Sequence, residues 1–107
     1  MEIAVRGADK IAELNDAFRQ RGFGILMTTG IREEIRDLSG LLKAVRFFND
    51  FGEGNDPHRE HDFGMLKWER KTVYWKIDYY DKDFKYWSDP ESSQCNRVMT
   101  VMLSDEY

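Results

Sequence analysis

The 107 residues carry a formal net charge of −4 and 41% hydrophobic side chains, which predict one globular domain, residues 1–107, with a single core. One cysteine (Cys95), no run near the ~20 apolar residues of a membrane span, and no signal-peptide pattern predict a cytoplasmic protein without disulfides or membrane segments. Residues 1–77 are electrically balanced, whereas residues 78–107 hold seven acids and three bases, a distribution that argues against nucleic-acid binding and favours a basic protein partner.

The N-terminal half predicts helices around one short strand. Asp9 can cap a first helix, and a strongly apolar strand is predicted at residues 23–28. Residues 31–38 and 41–48 predict two helical segments, or one helix with a kink at Ser39-Gly40. The apolar positions of the first helix are Ile11, Leu14 and Phe18.

The C-terminal half predicts an antiparallel sheet. After a loop at residues 49–59, strands at 62–68 and 72–80 form a hairpin around Glu69-Arg70-Lys71, and a third strand covers 97–103. Helices first and strands afterwards predict an α+β fold, with two or three helices packed on one face of a three- or four-stranded antiparallel sheet. The expected core residues are Ile11, Leu14, Phe18, Leu26, Ile35, Val45, Phe48, Trp75, Ile77 and Val101.

The segment HREHDFG, residues 58–64, contains a tripeptide that protein kinases use to hold magnesium. In kinases this tripeptide acts only with a glycine-rich loop, a strand lysine and a catalytic loop, in a much longer chain. None of these accompanies it here, so we interpret Gly64 as a strand-entry residue and expect Phe63 to pack inward.

Metal binding by the same segment remains the alternative. The candidate ligands are His58, Glu60, His61 and Asp62, with Asp78 or Asp81 able to complete a set across the hairpin. On an extended chain His61 and Asp62 point to opposite faces, and there is no HExxH motif. The alternative function is therefore a metal-assisted hydrolase or nuclease based on His58 and His61, although the sequence assigns no catalytic residue, no metal and no cofactor.

The stretch VYWKIDYYDKDFKYW, residues 73–87, is the most distinctive in composition. Alternation places half of its aromatic side chains in the core, and the remainder, interleaved with charge, have the composition of a binding hot spot. Base-stacking platforms and a local aromatic cluster are the alternatives. The candidate partner-binding residues are Tyr80, Asp81, Asp83, Tyr86, Trp87, Asp89, Glu91, Asp105 and Glu106.

Five segments and the C-terminal residues resemble a bacterial family of about this length. The segments are residues 44–47, 50–51, 55–57, 60–64 (EHDFG) and 75–81 (WKIDYYD), with the ending at 102–103 and 106–107. This family is a conserved domain of unknown function, frequent in alphaproteobacteria and on their mobile elements. The turn Glu69-Arg70-Lys71 departs from the Asp-Gly type of turn in that family.

The resemblance implies a setting rather than an activity. Small acidic proteins of mobile elements include anti-CRISPR and anti-restriction inhibitors, which bind a host defence complex without an active site. We therefore expect a non-enzymatic inhibitor or adaptor that occludes a basic, nucleic-acid-binding surface, for which a host defence ribonucleoprotein complex is the leading partner.

Overall fold

The structure, a computed structural model, describes residues 7–107. In this part of the chain, three helices and one short strand come first, followed by three longer strands and a 3₁₀ helix. In chain order they are α1 (Gly7–Arg21), β1 (Ile25–Met27), α2 (Thr29–Glu34), α3 (Leu38–Arg46), β2 (Phe63–Trp68), β3 (Lys71–Tyr80), β4 (Asn96–Leu103) and a 3₁₀ helix (Ser104–Glu106). No helix in residues 7–107 is long and apolar enough to cross a membrane.

The four strands form one sheet in the order β1-β4-β3-β2. Strand β3 pairs antiparallel with both β2 and β4, whereas β1 pairs parallel with β4, with Ile25 opposite Met99. This confirms the α+β fold and corrects the prediction of a purely antiparallel sheet. The chain passes through α2, α3 and the hairpin between β1 and β4, so no tight turn imposes an antiparallel direction on β1.

One set of alternating β3 residues forms the centre of the core. The buried cluster combines Val73, Trp75, Ile77 and Tyr79 with Met99, Val101 and Leu103 of β4, and with Ile31, Ile35, Leu41 and Val45 of the helical segment. Half of the expected core residues are buried, and Ile11, Phe18 and Phe48 pack partly buried against them. Packing of every helix on a single face of the sheet stays a prediction.

The other set of alternating residues defines the outer face of the sheet. Paired residues of neighbouring strands share a face. The outer face therefore comprises Tyr74, Lys76, Asp78 and Tyr80 of β3, Phe63 and Met65 of β2, Val98, Thr100 and Met102 of β4, and Leu26 of β1. Leu26 is exposed there, so its predicted place in the core is wrong. Phe63 does not pack inward either, because its ring contacts Tyr74 and Tyr107.

The break between α2 and α3 lies at residues 35–37 rather than at Ser39-Gly40. The Asp37 carboxylate accepts a hydrogen bond from the Gly40 N–H at 2.9 Å and caps α3. The Glu69 carboxylate accepts the N–H groups of Arg36 and Asp37 at 2.9 and 2.8 Å, and the bond from Arg36 chiefly lowers the pKa of Glu69. Through these two hydrogen bonds, the hairpin turn holds the backbone at the break between α2 and α3. The predicted cap at Asp9 is also wrong, since that residue lies in the first turn of α1.

The hairpin turn has two residues, Glu69 and Arg70. Both have positive φ values, 50° and 67°, which a type I′ turn requires. Asp-Gly sequences favour the same geometry, because glycine adopts positive φ at low cost. The unusual sequence of this turn therefore does not change the backbone conformation of the hairpin.

Candidate functional site

The β3–β4 loop, residues 81–95, presents three aromatic side chains to solvent. Phe84, Tyr86 and Trp87 are 57%, 73% and 71% exposed. Large aromatic side chains are usually more buried than this in a monomeric domain. The structure thus places two of the candidate partner-binding aromatics, Tyr86 and Trp87, on the surface, while Tyr80 is half-buried on the outer face.

The Asp81 carboxylate holds the loop in one conformation. Its Oδ1 accepts hydrogen bonds from the N–H groups of Asp83 and Lys85 at 3.1 and 2.9 Å. The Asp81 N–H donates to the Tyr86 carbonyl at 2.8 Å. The Lys85 bond contributes most to lowering the pKa of Asp81. Asp81 therefore has a structural role within the loop.

The base of the loop is fixed to the sheet. The Asn96 side-chain amide donates to the Asp81 carbonyl at 3.2 Å, and the Ser88 N–H donates to the Tyr79 carbonyl at 3.3 Å. Tyr80 and Trp87 form an antiparallel bridge. These contacts continue the sheet into the loop, so the exposed aromatic side chains stand on an ordered backbone.

A buried asparagine connects the loop base to α1. Asn15 donates to the Tyr79 hydroxyl at 2.8 Å and accepts from the Arg97 guanidinium at 2.7 Å. Arg97 in turn donates to the Pro90 carbonyl of the loop at 2.7 Å. Burial raises the pKa of the Tyr79 hydroxyl, which keeps this group protonated. The network links the β3–β4 loop to the body of the protein.

The Glu106 carboxylate, like that of Asp81, accepts hydrogen bonds from within the protein. It accepts hydrogen bonds from the Thr28 hydroxyl at 2.5 Å, the Leu103 N–H at 2.9 Å and the Gly30 N–H at 3.0 Å. The Thr28 bond is the main cause that lowers the pKa of Glu106. Glu106 and Tyr80 line the same groove along the outer face, which has a volume of about 500 Å³.

The remaining acidic candidates lie on the surface. Asp83, Asp89 and Glu91 are exposed in the β3–β4 loop, and Asp105 is exposed in the 3₁₀ helix. The Asp89 carboxylate accepts the Glu91 N–H at 2.9 Å, which leaves its second oxygen toward solvent. These four carboxylates contribute negative charge to the surface of the protein.

His61 lies in a polar cluster that the sequence pattern did not reveal. Its Nδ1 is 3.0 Å from both carboxylate oxygens of Asp16, and its Nε2 is 3.6 Å from Asp56 Oδ2. The imidazole stacks on the Phe51 ring, with 3.8 Å between centroids and 4° between planes. Asp16 is 45 residues away in the sequence. No periodicity or motif could have identified this pair.

This arrangement supports a structural role for His61. Both ring nitrogens face carboxylates, and the buried Asp56 also accepts the N–H groups of Glu60 and His61 at 3.2 and 3.3 Å. The imidazole therefore joins α1 to the loop that precedes β2. Within residues 7–107, no group of three or more histidine, cysteine, aspartate or glutamate side chains is arranged to hold a metal ion.

Fold and loop together define an α+β domain with a mixed four-stranded sheet and an ordered, acidic and aromatic β3–β4 loop. Residues 27–106 match the family described as "Protein of unknown function (DUF3768)", and the chain belongs to that family. The matched segment contains α2, α3, strands β2 to β4 and the whole loop. The comparison with curated proteins and the comparison with solved structures each gave no match.

Proposed function

We propose that this protein is a non-enzymatic, cytoplasmic inhibitor or adaptor that binds a basic surface of another protein. The partner surface is one that otherwise holds nucleic acid, and a host defence ribonucleoprotein complex is the leading candidate, which would make this protein an anti-CRISPR inhibitor; a restriction enzyme, as the target of an anti-restriction inhibitor, is the second candidate. The observation that carries the proposal is the exposure of Tyr86 and Trp87 on a loop whose backbone Asp81 holds in place.

The energetic argument rests on the cost of ordering a binding loop. Tyrosine and tryptophan are enriched among residues that dominate binding energy, since each buries a large rigid surface. A flexible loop would lose conformational entropy on binding, about 0.5–1.5 kcal/mol for each side chain that becomes immobile and more for the backbone. The hydrogen bonds of Asp81 and Asn96 meet the backbone part of this cost before any partner binds. The loop is thus suited to bind without rearrangement.

Electrostatics define the chemistry of the partner. Asp83, Asp89 and Glu91 flank the exposed aromatic residues in the loop sequence, while Lys82 and Lys85 are the bases of the loop. Carboxylates compete with phosphates for lysine and arginine side chains, and indole and phenol rings stack against guanidinium groups. The loop is therefore complementary to a surface rich in arginine and lysine, and like-charged nucleic acid is disfavoured.

Affinity capture from bacterial lysate tests the proposal. We expect the wild-type protein to retain a nucleic-acid-binding protein that Trp87→Ala does not retain, and added RNA should displace that partner. The matched control is Phe47→Ala, which removes an exposed aromatic side chain at the end of α3. Equal recovery of the same partner by all three proteins, or a partner that RNA does not displace, contradicts the proposal.

A further inference from the structure

The centre of the outer face carries a short sequence pattern that is complementary to itself. Tyr74, Lys76, Asp78 and Tyr80 alternate along β3 and share this face. Lys76 Nζ lies 2.9 Å from Asp78 Oδ2, and both side chains are more than one-third exposed. An aromatic residue thus flanks an opposite-charge pair on each side, with Ile77 at the midpoint.

We infer that the outer face binds a second copy of this chain, in a two-fold symmetric dimer whose axis lies midway between the two packed sheets, above Ile77 and perpendicular to β3. In a two-fold interface, if residue i contacts residue j, then j contacts i. Rotation about this axis places Lys76 opposite Asp78 of the second copy and Tyr74 opposite Tyr80. Sheets that pack face to face lie about 10 Å apart, a gap that a lysine and an aspartate side chain together can span.

The charge distribution favours a second copy over other occupants of this face. The whole chain has a net charge of −4, so most surfaces of two copies repel each other. The centre of the outer face has one base and one acid and is locally neutral. A partner of a single charge sign would gain attraction from one of these groups and repulsion from the other, whereas an inverted copy satisfies both.

Shape and area are also compatible with this dimer. Tyr107 is 75% exposed even though its ring contacts Phe63 and Tyr74, so it projects above the outer face. The two-fold axis brings it over the Asp78 and Tyr80 end of the groove of the second copy. With strands about 4.8 Å apart and about 3.3 Å per residue, the 27 strand residues cover roughly 430 Å² per copy, or roughly 860 Å² in the pair, an area in the range of weak, transient interfaces.

Analytical ultracentrifugation of charge variants tests the dimer. The wild-type protein should be a dimer at micromolar concentration. Lys76→Asp and Asp78→Lys should each raise the dimer dissociation constant at least about tenfold, because each places like charges opposite one another. Mixing the two variants in equal amounts should restore dimers, since all four residues of the mixed pair then face opposite charges. The matched controls are Lys43→Asp and Asp50→Lys, exposed on other parts of the protein, which should leave the constant unchanged.

The mixing step separates this inference from a simple loss of folding. A misfolded variant would not regain a partner when combined with a second misfolded variant. A wild-type protein that stays monomeric up to about 0.1 mM overturns the inference, because that concentration corresponds to a binding free energy weaker than about −5.5 kcal/mol. Two folded variants that do not form mixed dimers overturn it as well.

Discussion

The indole ring of Trp75 lies directly against the backbone of Gly64 on the neighbouring strand. The two residues are paired in the β2–β3 register, and Trp75 is fully buried. A Cβ atom at position 64 would overlap the indole Nε1 and the adjacent ring carbons. The glycine of the kinase-like tripeptide therefore has a packing role here: it gives the largest core side chain access to the sheet.

Replacing Gly64 with alanine should destabilise the protein strongly. The added methyl group must displace a ring that Phe48, Phe51 and Arg19 already surround, so we expect a loss of about 2–3 kcal/mol in the free energy of unfolding. Urea denaturation measures this loss. Gly54→Ala is the matched control, because nothing lies within 4 Å of a Cβ at that position. Equal midpoints for the two variants would contradict the packing role.

The backbone at His61 should carry conformational strain that glycine relieves. Its φ is 56°, a left-handed value that is uncommon for residues other than glycine, although histidine adopts it more readily than most. His61→Ala and His61→Gly both lose the contacts with Asp16 and Phe51, but the glycine variant should be more stable than the alanine variant by about 1 kcal/mol. Thermal denaturation compares the two.

The neighbouring position provides the control for His61. Glu60 does not have a positive φ, so Glu60→Gly should be less stable than Glu60→Ala, the reverse order. If alanine is the better residue at both positions, the contacts of the imidazole and not the backbone geometry determine the stability at His61.

Removing the Asp81 carboxylate should free the β3–β4 loop without unfolding the protein. Asp81→Ala deletes the acceptor for the N–H groups of Asp83 and Lys85, so these amides should exchange hydrogen at least about tenfold faster. Asp81→Asn keeps a side-chain oxygen in the same place and should show a smaller increase. Hydrogen exchange measured by NMR gives the rates, and amides of β3 serve as the internal reference. Unchanged exchange at Lys85 in the alanine variant would show that other contacts hold the loop.

Local patterns in the sequence were sufficient to predict where the strands lie, but not how the strands pair with one another. The period-two alternation around Trp75 predicted β3 and its buried residues, because side chains of a strand must point alternately to the two faces. The same reasoning failed for Leu26, which is apolar but belongs to a three-residue edge strand with a parallel partner. Whether β1 and β4 pair parallel or antiparallel depends on the path of the chain through all the elements between them.

In the candidate site too, local sequence predicted some features, whereas others depend on contacts between distant residues. Composition and alternation, both of which are local, left two outcomes open for Trp87, an exposed binding residue or part of a local aromatic cluster, and the side chain is exposed. The roles of Asp81 and Glu106 did not follow from the sequence, since an acidic residue in a sequence gives no sign of whether its oxygens face solvent or backbone N–H groups. His61 is the clearest case, because its main partner, Asp16, lies in α1, 45 residues earlier in the chain.

Protonation of Glu106 should weaken the protein in acid. Hydrogen bonds hold its folded-state pKa below the ordinary value of 4.5, so its stabilising contribution is complete above that pH and is lost as the pH falls through the lower, folded-state value. Glu106→Gln should lower the Tm by about 2–4 °C near pH 7, and this difference should shrink as the pH falls below 4.5.

A neighbouring acid controls for general effects of charge on the Glu106 result. Asp105→Asn makes the same change of charge one residue away. Its Tm should be nearly equal to the wild-type Tm at each pH in this range. Burial raises the pKa values of Glu60 and Asp62, which act in the opposite direction, but these groups are present in every variant and cancel in the comparison. A Glu106→Gln difference that does not shrink as the pH falls below 4.5 would indicate a loss of packing rather than of charge.

Partner binding through the β3–β4 loop should separate into a salt-dependent and a salt-independent part. Asp83→Lys with Glu91→Lys reverses two exposed charges, so it should weaken binding most at low salt and mainly by slowing association. Trp87→Ala should weaken binding at every salt concentration, by about 2 kcal/mol, because it removes buried contact area rather than charge. Surface plasmon resonance with the partner captured from lysate measures both.

Glu33→Lys with Glu53→Lys, the same change of charge at exposed positions outside the loop, should have little effect, and all variants should keep the wild-type Tm. Binding that responds equally to both charge variants and not to Trp87→Ala would show that the partner contacts a different surface.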